Sequence, residues 1–173
     1  SDLLVLLDLA ATESIATLPQ TPAGLLQVAW SPDSTRFAMT MTGDSGVSLA
    51  LFSREGEQLE TVVTLPEGQV LWNLRWSPDS ARIAFTAFDP QPIENRLLVA
   101  DLAARSVNDT CLPLFADVDG RPLSALAWSP DGSRLALVTS QTAARPQIQI
   151  YDVALRSRYN LVPAAGRLLG WYP

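Results

Sequence analysis

The sequence predicts an all-β fold, a β-propeller of four-stranded antiparallel blades with about three full blades plus a split or partial fourth. Three observations predict it. The first is a phrase spoken three times: Val28-Ala29-Trp30-Ser31-Pro32-Asp33-Ser34-Thr35-Arg36-Phe37-Ala38, then Leu74 to Ala84, then Leu126 to Ala136. Its tryptophans stand at 30, 76 and 128, and Trp171 opens a truncated fourth copy, a near-constant spacing of the kind that marks stacked repeats. The second is a strand-like run at a steady offset after each phrase, ending at Ser53, Asp101 and Asp152. The third is that no window carries a long helical period.

Each phrase reads as a hairpin. An apolar lead-in ends at tryptophan, and proline pre-sets the φ of the second turn position. Aspartate suits the third, where it can bond its own backbone. A strand such as Arg82-Ile83-Ala84-Phe85-Thr86 follows. The small residues Ala38, Ala84 and Ala136 recur at one position of that second strand, which suits close stacking of sheet on sheet. The offset run is the third strand, and Leu59 to Leu65, Thr110 to Leu114 and Tyr159 to Val162 form the fourth. Four short strands in a meander make a propeller blade. Apolar residues on both faces of the strands fit sheets covered on both sides.

In chain order, residues 1–24 supply the third and fourth strands of a partial blade, because Leu7-Asp8-Leu9-Ala10-Ala11 parallels Ala100-Asp101-Leu102-Ala103-Ala104. Full blades follow at 25–68, 69–121 and 122–166, and residues 167–173 give the first strand of the closing or next blade. Three arrangements remain open: a compact four-blade ring, two copies sharing blades in a ring of about eight, or a piece of a longer propeller. The ending in mid-phrase at Trp171-Tyr172-Pro173 favours the last two, and the lack of an initiator Met suggests a processed or excised segment.

The Trp-Ser-Pro-Asp-Gly-x-Arg-Leu-Ala type phrase resembles the WD-repeat-like blade of TolB-like propellers, and also the blades of prolyl-oligopeptidase-type propeller domains. Ser34 and Ser80 stand where that blade usually has glycine. The resemblance implies a bacterial, extracytoplasmic scaffold that binds a protein or peptide. It also leaves open an accessory propeller of a larger enzyme such as a peptidase, or a ligand- or carbohydrate-binding propeller.

Composition narrows the chemistry. The chain carries 12 Lys and Arg against 18 Asp and Glu, a net charge of −6, and no histidine; every basic residue is arginine. An acidic chain without a basic stripe argues against nucleic acid. Serine or cysteine nucleophiles paired with histidine are excluded within the chain, as is histidine ligation of zinc. No metal, no cofactor and no catalytic residue is therefore expected. Asp117-Val118-Asp119-Gly120 opens like a calcium loop but lacks the later carboxylates, so a turn is the better reading. The lone Cys111 falls in a predicted strand and reads as a small buried hydrophobe. The apolar start breaks at Asp8 and is too short to span a bilayer, so no membrane insertion is expected.

Candidate residues divide into two sets. Trp30, Pro32, Asp33, Trp76, Pro78, Asp79, Trp128, Pro130, Asp131 and Trp171 repeat once per blade and read as turn-makers and inter-blade anchors, with Arg36, Arg82 and Arg134 beside them. Trp72 falls outside the phrase and is the tryptophan to test for exposure. The variable second-to-third and blade-to-blade loops share one face of the disc, where binding usually resides. On that face the candidates for a protein or peptide partner are Asp44, Glu67, Phe88, Asp89, Glu94, Phe115, Asp117, Asp119, Arg121 and Arg145.

Overall fold

The computed structural model describes residues 4–8, 13–18, 27–91, 93–114, 126–139 and 147–163. The candidates Phe115, Asp117, Asp119, Arg121, Arg145 and Trp171 lie outside them. In chain order the strands are β1 (Leu4–Asp8), β2 (Glu13–Leu18), β3 (Val28–Trp30), β4 (Arg36–Gly43), β5 (Gly46–Ser53), β6 (Gln58–Leu65) and β7 (Val70–Trp76). There follow β8 (Arg82–Pro90), β9 (Ile93–Asp101), β10 (Ser106–Leu114), β11 (Leu126–Trp128), β12 (Arg134–Thr139), β13 (Gln147–Asp152) and β14 (Ser157–Pro163). They form three four-stranded meanders, β3 to β6, β7 to β10 and β11 to β14, and a two-stranded β1–β2 sheet. The described fold is all-β, as the repeats predict.

The Ser-Pro-Asp turn forms for the reasons its residues give. In each copy the fourth turn residue donates its N–H to the first serine's carbonyl at 2.9 Å, with proline and aspartate between. The first serine's hydroxyl donates to the aspartate, Ser31 to Asp33 and Ser129 to Asp131 at 2.6 Å, and accepts the arginine N–H that closes the hairpin. The aspartate Oδ1 also takes the N–H of Thr35, Ala81 or Ser133 at 3.0 Å. These bonds favour the ionised carboxylate. Ser31 first and Thr35 next hold Asp33 at about 2, and Ser129 first and Ser133 next do the same for Asp131. Asp79 is lowered too, chiefly by Ser77.

Blades pack on one another through two shared cores. One joins Ala38, Leu49 and Leu51 of the first blade to Leu71, Leu74, Trp76 and Ile83 of the second. The other joins Ala84, Leu97 and Val99 of the second to Leu126, Trp128 and Leu135 of the third. Ala38, Ala84 and Ala136 are all buried, as their small size anticipates. A third cluster, Phe37, Met39, Ala50 and Phe52, lies within the first blade, where the Phe37 and Phe52 rings stack at 5.3 Å.

Polar latches repeat across these interfaces. Trp76 Nε1 donates to the Ala29 carbonyl at 2.8 Å, and Trp128 Nε1 donates to the Arg75 carbonyl at 2.9 Å. Each indole thus reaches the residue that precedes the tryptophan of the blade before. Arg36 Nη2 donates forward to Ser80 O at 2.9 Å while its guanidinium lies 5.4 Å from the Trp76 ring centre. Arg82 Nη1 makes the equivalent bond to Gly132 O at 3.4 Å. A third latch was not foreseen: Arg105 sits 3.9 Å from Glu60, and Arg156 donates to Asn108 at 2.9 Å, each reaching the fourth strand of the preceding blade. Both arginines close an Asp-x-Ala-x-Arg turn and adopt positive φ, 49° in each case. Their left-handed conformation ends the turn early, which is why β10 starts at Ser106 rather than Thr110.

Two expectations need correction. Cys111 is exposed, not buried. Between Asp109 and Pro113 the register with β9 shifts, Cys111 takes φ 54°, and its N–H is drawn to Asp109 Oδ1 at 2.8 Å. That bulge turns the thiol outward and gives the inward place to Leu112. The three phrase tryptophans are also not equivalent: Trp76 and Trp128 are buried between blades, whereas Trp30 is about half exposed. Trp72, in β7 ahead of the phrase, is partly buried, and its indole N–H has no partner among the described residues.

Candidate functional site

The described part of the variable-loop face carries a cleft of about 550 Å³ between the β4–β5 turn and the β6–β7 loop. Its walls are Thr42 to Asp44, Gly46 and Val47 on one side and Glu67 to Val70 on the other. The β4–β5 connection is a two-residue hairpin, with Gly43 opposite Gly46 and Asp44-Ser45 at the tip. Asp44 is exposed at the rim, at the tip of this hairpin. Gly46 has φ 119°, and a Cβ on it would collide with the Leu65 carbonyl oxygen and crowd Pro66 and Glu67. Only glycine lets the hairpin tip lie against the β6–β7 backbone, so Gly46 sets the distance between the two walls.

The second wall is a turn from Pro66 to Gln69, closed by the Gln69 N–H on Pro66 O at 3.2 Å, with Gly68 at φ 86°. It presents Glu67 exposed. Gln69, just before β7, lies beside the end of β8 in the same blade, and its Nε2 donates to Asp89 Oδ2 at 2.7 Å. The other Asp89 oxygen accepts the Gln91 N–H at 2.8 Å. Asp89 is thereby fixed beside the cleft, and Glu94 faces it directly across β8 and β9. Phe88 pairs with Val70 on one side and Asn95 on the other, partly buried.

Of the sequence candidates, Asp44 and Glu67 share the cleft, Asp89 joins it through Gln69, and Glu94 adjoins Asp89. Sequence reasoning missed Gln69 and Gly46. Gln69 carried no signal, whereas the Gly-x-x-Gly of residues 43–46 was a hairpin signal open to reading. The lining residues include two carboxylates and no arginine. Arg96, on β9, is engaged by Asp109 at 3.3 Å. The cleft is an acidic, glycine-floored slot that can hold an extended segment and favours positive charge in it. Among the described residues, no group of three or more metal-ligating side chains comes together.

Residues 3–157 match the family model described as the lipoprotein LpqB beta-propeller domain. The chain belongs to this LpqB propeller family. Its fold is also that of TolB-like propellers, although identities below one in four carry the fold alone. Putative TolB from Agrobacterium tumefaciens aligns with a TM-score of 0.62 at 19% identity, over 95% of this chain and 56% of that one. TolB from Acinetobacter baumannii aligns at 0.52 and 20%, over 79% of this chain and 30% of that one. An uncharacterised protein from Listeria monocytogenes EGD-e gives 0.65 at 14%, over 88% and 45%. The chain thus spans between about a third and somewhat over half of the length of these structures. No curated protein matches the sequence significantly.

Proposed function

We propose that this LpqB-type propeller is a non-catalytic module that binds a protein or peptide at its variable-loop face, and that the bound segment is cationic. The supporting observation is the slot whose opposed walls carry Asp44 and Glu67, with Asp89 anchored alongside by Gln69. The residue inventory supports a non-catalytic role: the chain has no histidine and one cysteine. The lipoprotein description of the family supports an extracytoplasmic setting. Titration with an arginine-rich hexapeptide and with its glutamate counterpart, followed by calorimetry, tests the reading. Saturable binding of the basic peptide alone is expected, weakened by salt and lost in Asp44→Lys/Glu67→Lys. Equal binding of both peptides, or of neither, would refute it.

A further inference from the structure

The outer latch joins unlike partners at the two blade interfaces, and the difference leaves one guanidinium without a counter-charge. Between the first and second blades Arg105 faces a carboxylate, Glu60, at 3.9 Å. Between the second and third blades Arg156 faces an amide, donating from Nη2 to Asn108 Oδ1 at 2.9 Å. Asn108 pairs with Val99 as Glu60 pairs with Leu51, so the two positions correspond. Among the described residues no carboxylate forms an ion pair with Arg156.

Arg156 and Asn108 line a pocket of about 310 Å³ between the second and third blades. The corresponding space between the first and second blades is about 210 Å³, and its charged lining is Glu60, Asp101 and Arg105, two carboxylates against one arginine. The larger pocket reverses that balance. Arg82 and Arg156 face one carboxylate, Asp101, in a chain whose net charge is −6. Asp101 is already engaged, by Arg82 Nε at 3.5 Å and by the Ala104 N–H at 2.9 Å, so the surplus charge is that of Arg156.

Tyr151 supplies a second, independent observation. It holds the β13 position that Ala100 holds in β9, opposite Leu135 and Ile83 respectively. It lines the larger pocket and is 5% exposed, yet its hydroxyl has no hydrogen-bond partner among the described residues. A tyrosine buried to that degree ordinarily bonds its hydroxyl. Burial raises its pKa, so at neutral pH the group is a protonated donor. Asn108 gives its oxygen to Arg156, which leaves its Nδ2 as a further donor. Val99 and Val153 add apolar surface to the same space.

We propose that the pocket between the second and third blades binds a small monocarboxylate, held by the Arg156 guanidinium with the Tyr151 hydroxyl and Asn108 Nδ2 donating to it. A planar guanidinium meets a carboxylate through two parallel N–H bonds, and one surplus positive charge matches a monoanion. The volume lies at the small end for ligand pockets, and Val99 and Val153 suit a short apolar body behind the carboxylate. The pocket adjoins the turns after Asp101 and Asp152, at the other end of the strands from the acidic slot, so either reading can fail without the other.

Amide chemical shifts of the full chain, titrated with isovalerate, its uncharged counterpart isoamyl alcohol and inorganic phosphate, test the assignment. Isovalerate is expected to shift Ser106, Asn108, Tyr151 and Arg156 together and saturably, leaving Asp44 and Glu67 unmoved. Tyr151→Phe, which keeps the buried ring, should weaken binding by about tenfold or more. Asn108→Glu, which gives Arg156 the partner that Arg105 already has, should abolish binding with circular dichroism unchanged. Absence of saturable shifts at these residues overturns the proposal. Equal response to isoamyl alcohol, preference for phosphate, or full affinity in Asn108→Glu overturns it as well.

Discussion

Trp76 and Trp30 occupy the same place in the same phrase, and the structure makes them energetically unequal. Trp76 is buried between blades and donates to Ala29 O at 2.8 Å; Trp30 is half in water and has no acceptor among the described residues. Changing Trp76 to phenylalanine keeps most of the ring but removes the N–H. The partly buried Ala29 carbonyl loses that partner, which costs about 0.5–1.5 kcal/mol. The same change at Trp30 strands nothing and should stay within about 0.5 kcal/mol. Alanine widens the gap. Full truncation of a buried tryptophan costs about 3–5 kcal/mol before the stranded carbonyl is added. That is a large part of the roughly 5–15 kcal/mol that holds a domain together. At Trp30 about half of that burial is already absent. Urea denaturation followed by circular dichroism measures both pairs, at protein concentrations low enough that self-association contributes nothing. Trp128→Phe should match Trp76→Phe, since its bond to Arg75 O is 2.9 Å. Equal losses at positions 30 and 76 would refute the inter-blade latch as a source of stability.

Ser34 has φ 60° and its hydroxyl makes no hydrogen bond among the described residues, so Ser34→Gly should raise stability by about 0.5–1 kcal/mol, read as a higher Tm. Ser80 has φ 57° but its Oγ accepts the Asp33 N–H at 3.1 Å, so Ser80→Gly should gain nothing or lose stability. Asp33 and Asp131 titrate at about 2 when folded, below their usual 3.8. A depressed folded pKa means the turns contribute fully above about pH 4 and lose that contribution as pH falls toward 2. Acid unfolding curves of Asp33→Asn/Asp131→Asn should accordingly start from lower stability and fall less steeply across that window. Gly46→Ala should cost about 2–4 kcal/mol by thermal melting, because neither its φ nor the neighbouring backbone admits a Cβ. Cys111 should react with a maleimide in the native state at nearly the rate of the unfolded chain, which a buried thiol would not.

What the phrase encodes was legible because its bonds are local. Ser31, Asp33 and Arg36 lie within six residues, and their hydrogen bonds recur at 77–82 and 129–134, so periodicity exposed the turn before any partner was known. The outer latch was as periodic but passed unread. Arg105 and Arg156 repeat at a fixed distance after Asp101 and Asp152, yet their partners Glu60 and Asn108 share no side-chain type. Cys111 was misread because strand propensity assumes regular register, and the bulge at Asp109 to Pro113 arises from an aspartate capturing a backbone N–H two residues on. Ser34 and Trp30 were indistinguishable from their counterparts in sequence. Only their burial separates them: Trp76 and Ser80 are covered, whereas Trp30 and Ser34 are exposed.

The acidic slot was half legible for a related reason. Asp44 and Glu67 stand on loops that no repeat constrains, and loop position alone nominated them. Their meeting depends on Gly46, which lets a hairpin tip rest on the backbone of Leu65 to Glu67. Asp89 is tied to the second wall by Gln69, within the second blade. The slot itself lies between the β4–β5 tip of the first blade and the β6–β7 loop that leads into the second. Inter-blade latches and binding slot are two consequences of a single spacing. A variant that loosens the first–second blade interface without touching the slot, such as Arg36→Ala, should weaken basic-peptide binding even though Arg36 lies at the opposite hairpin end of β4 from Asp44.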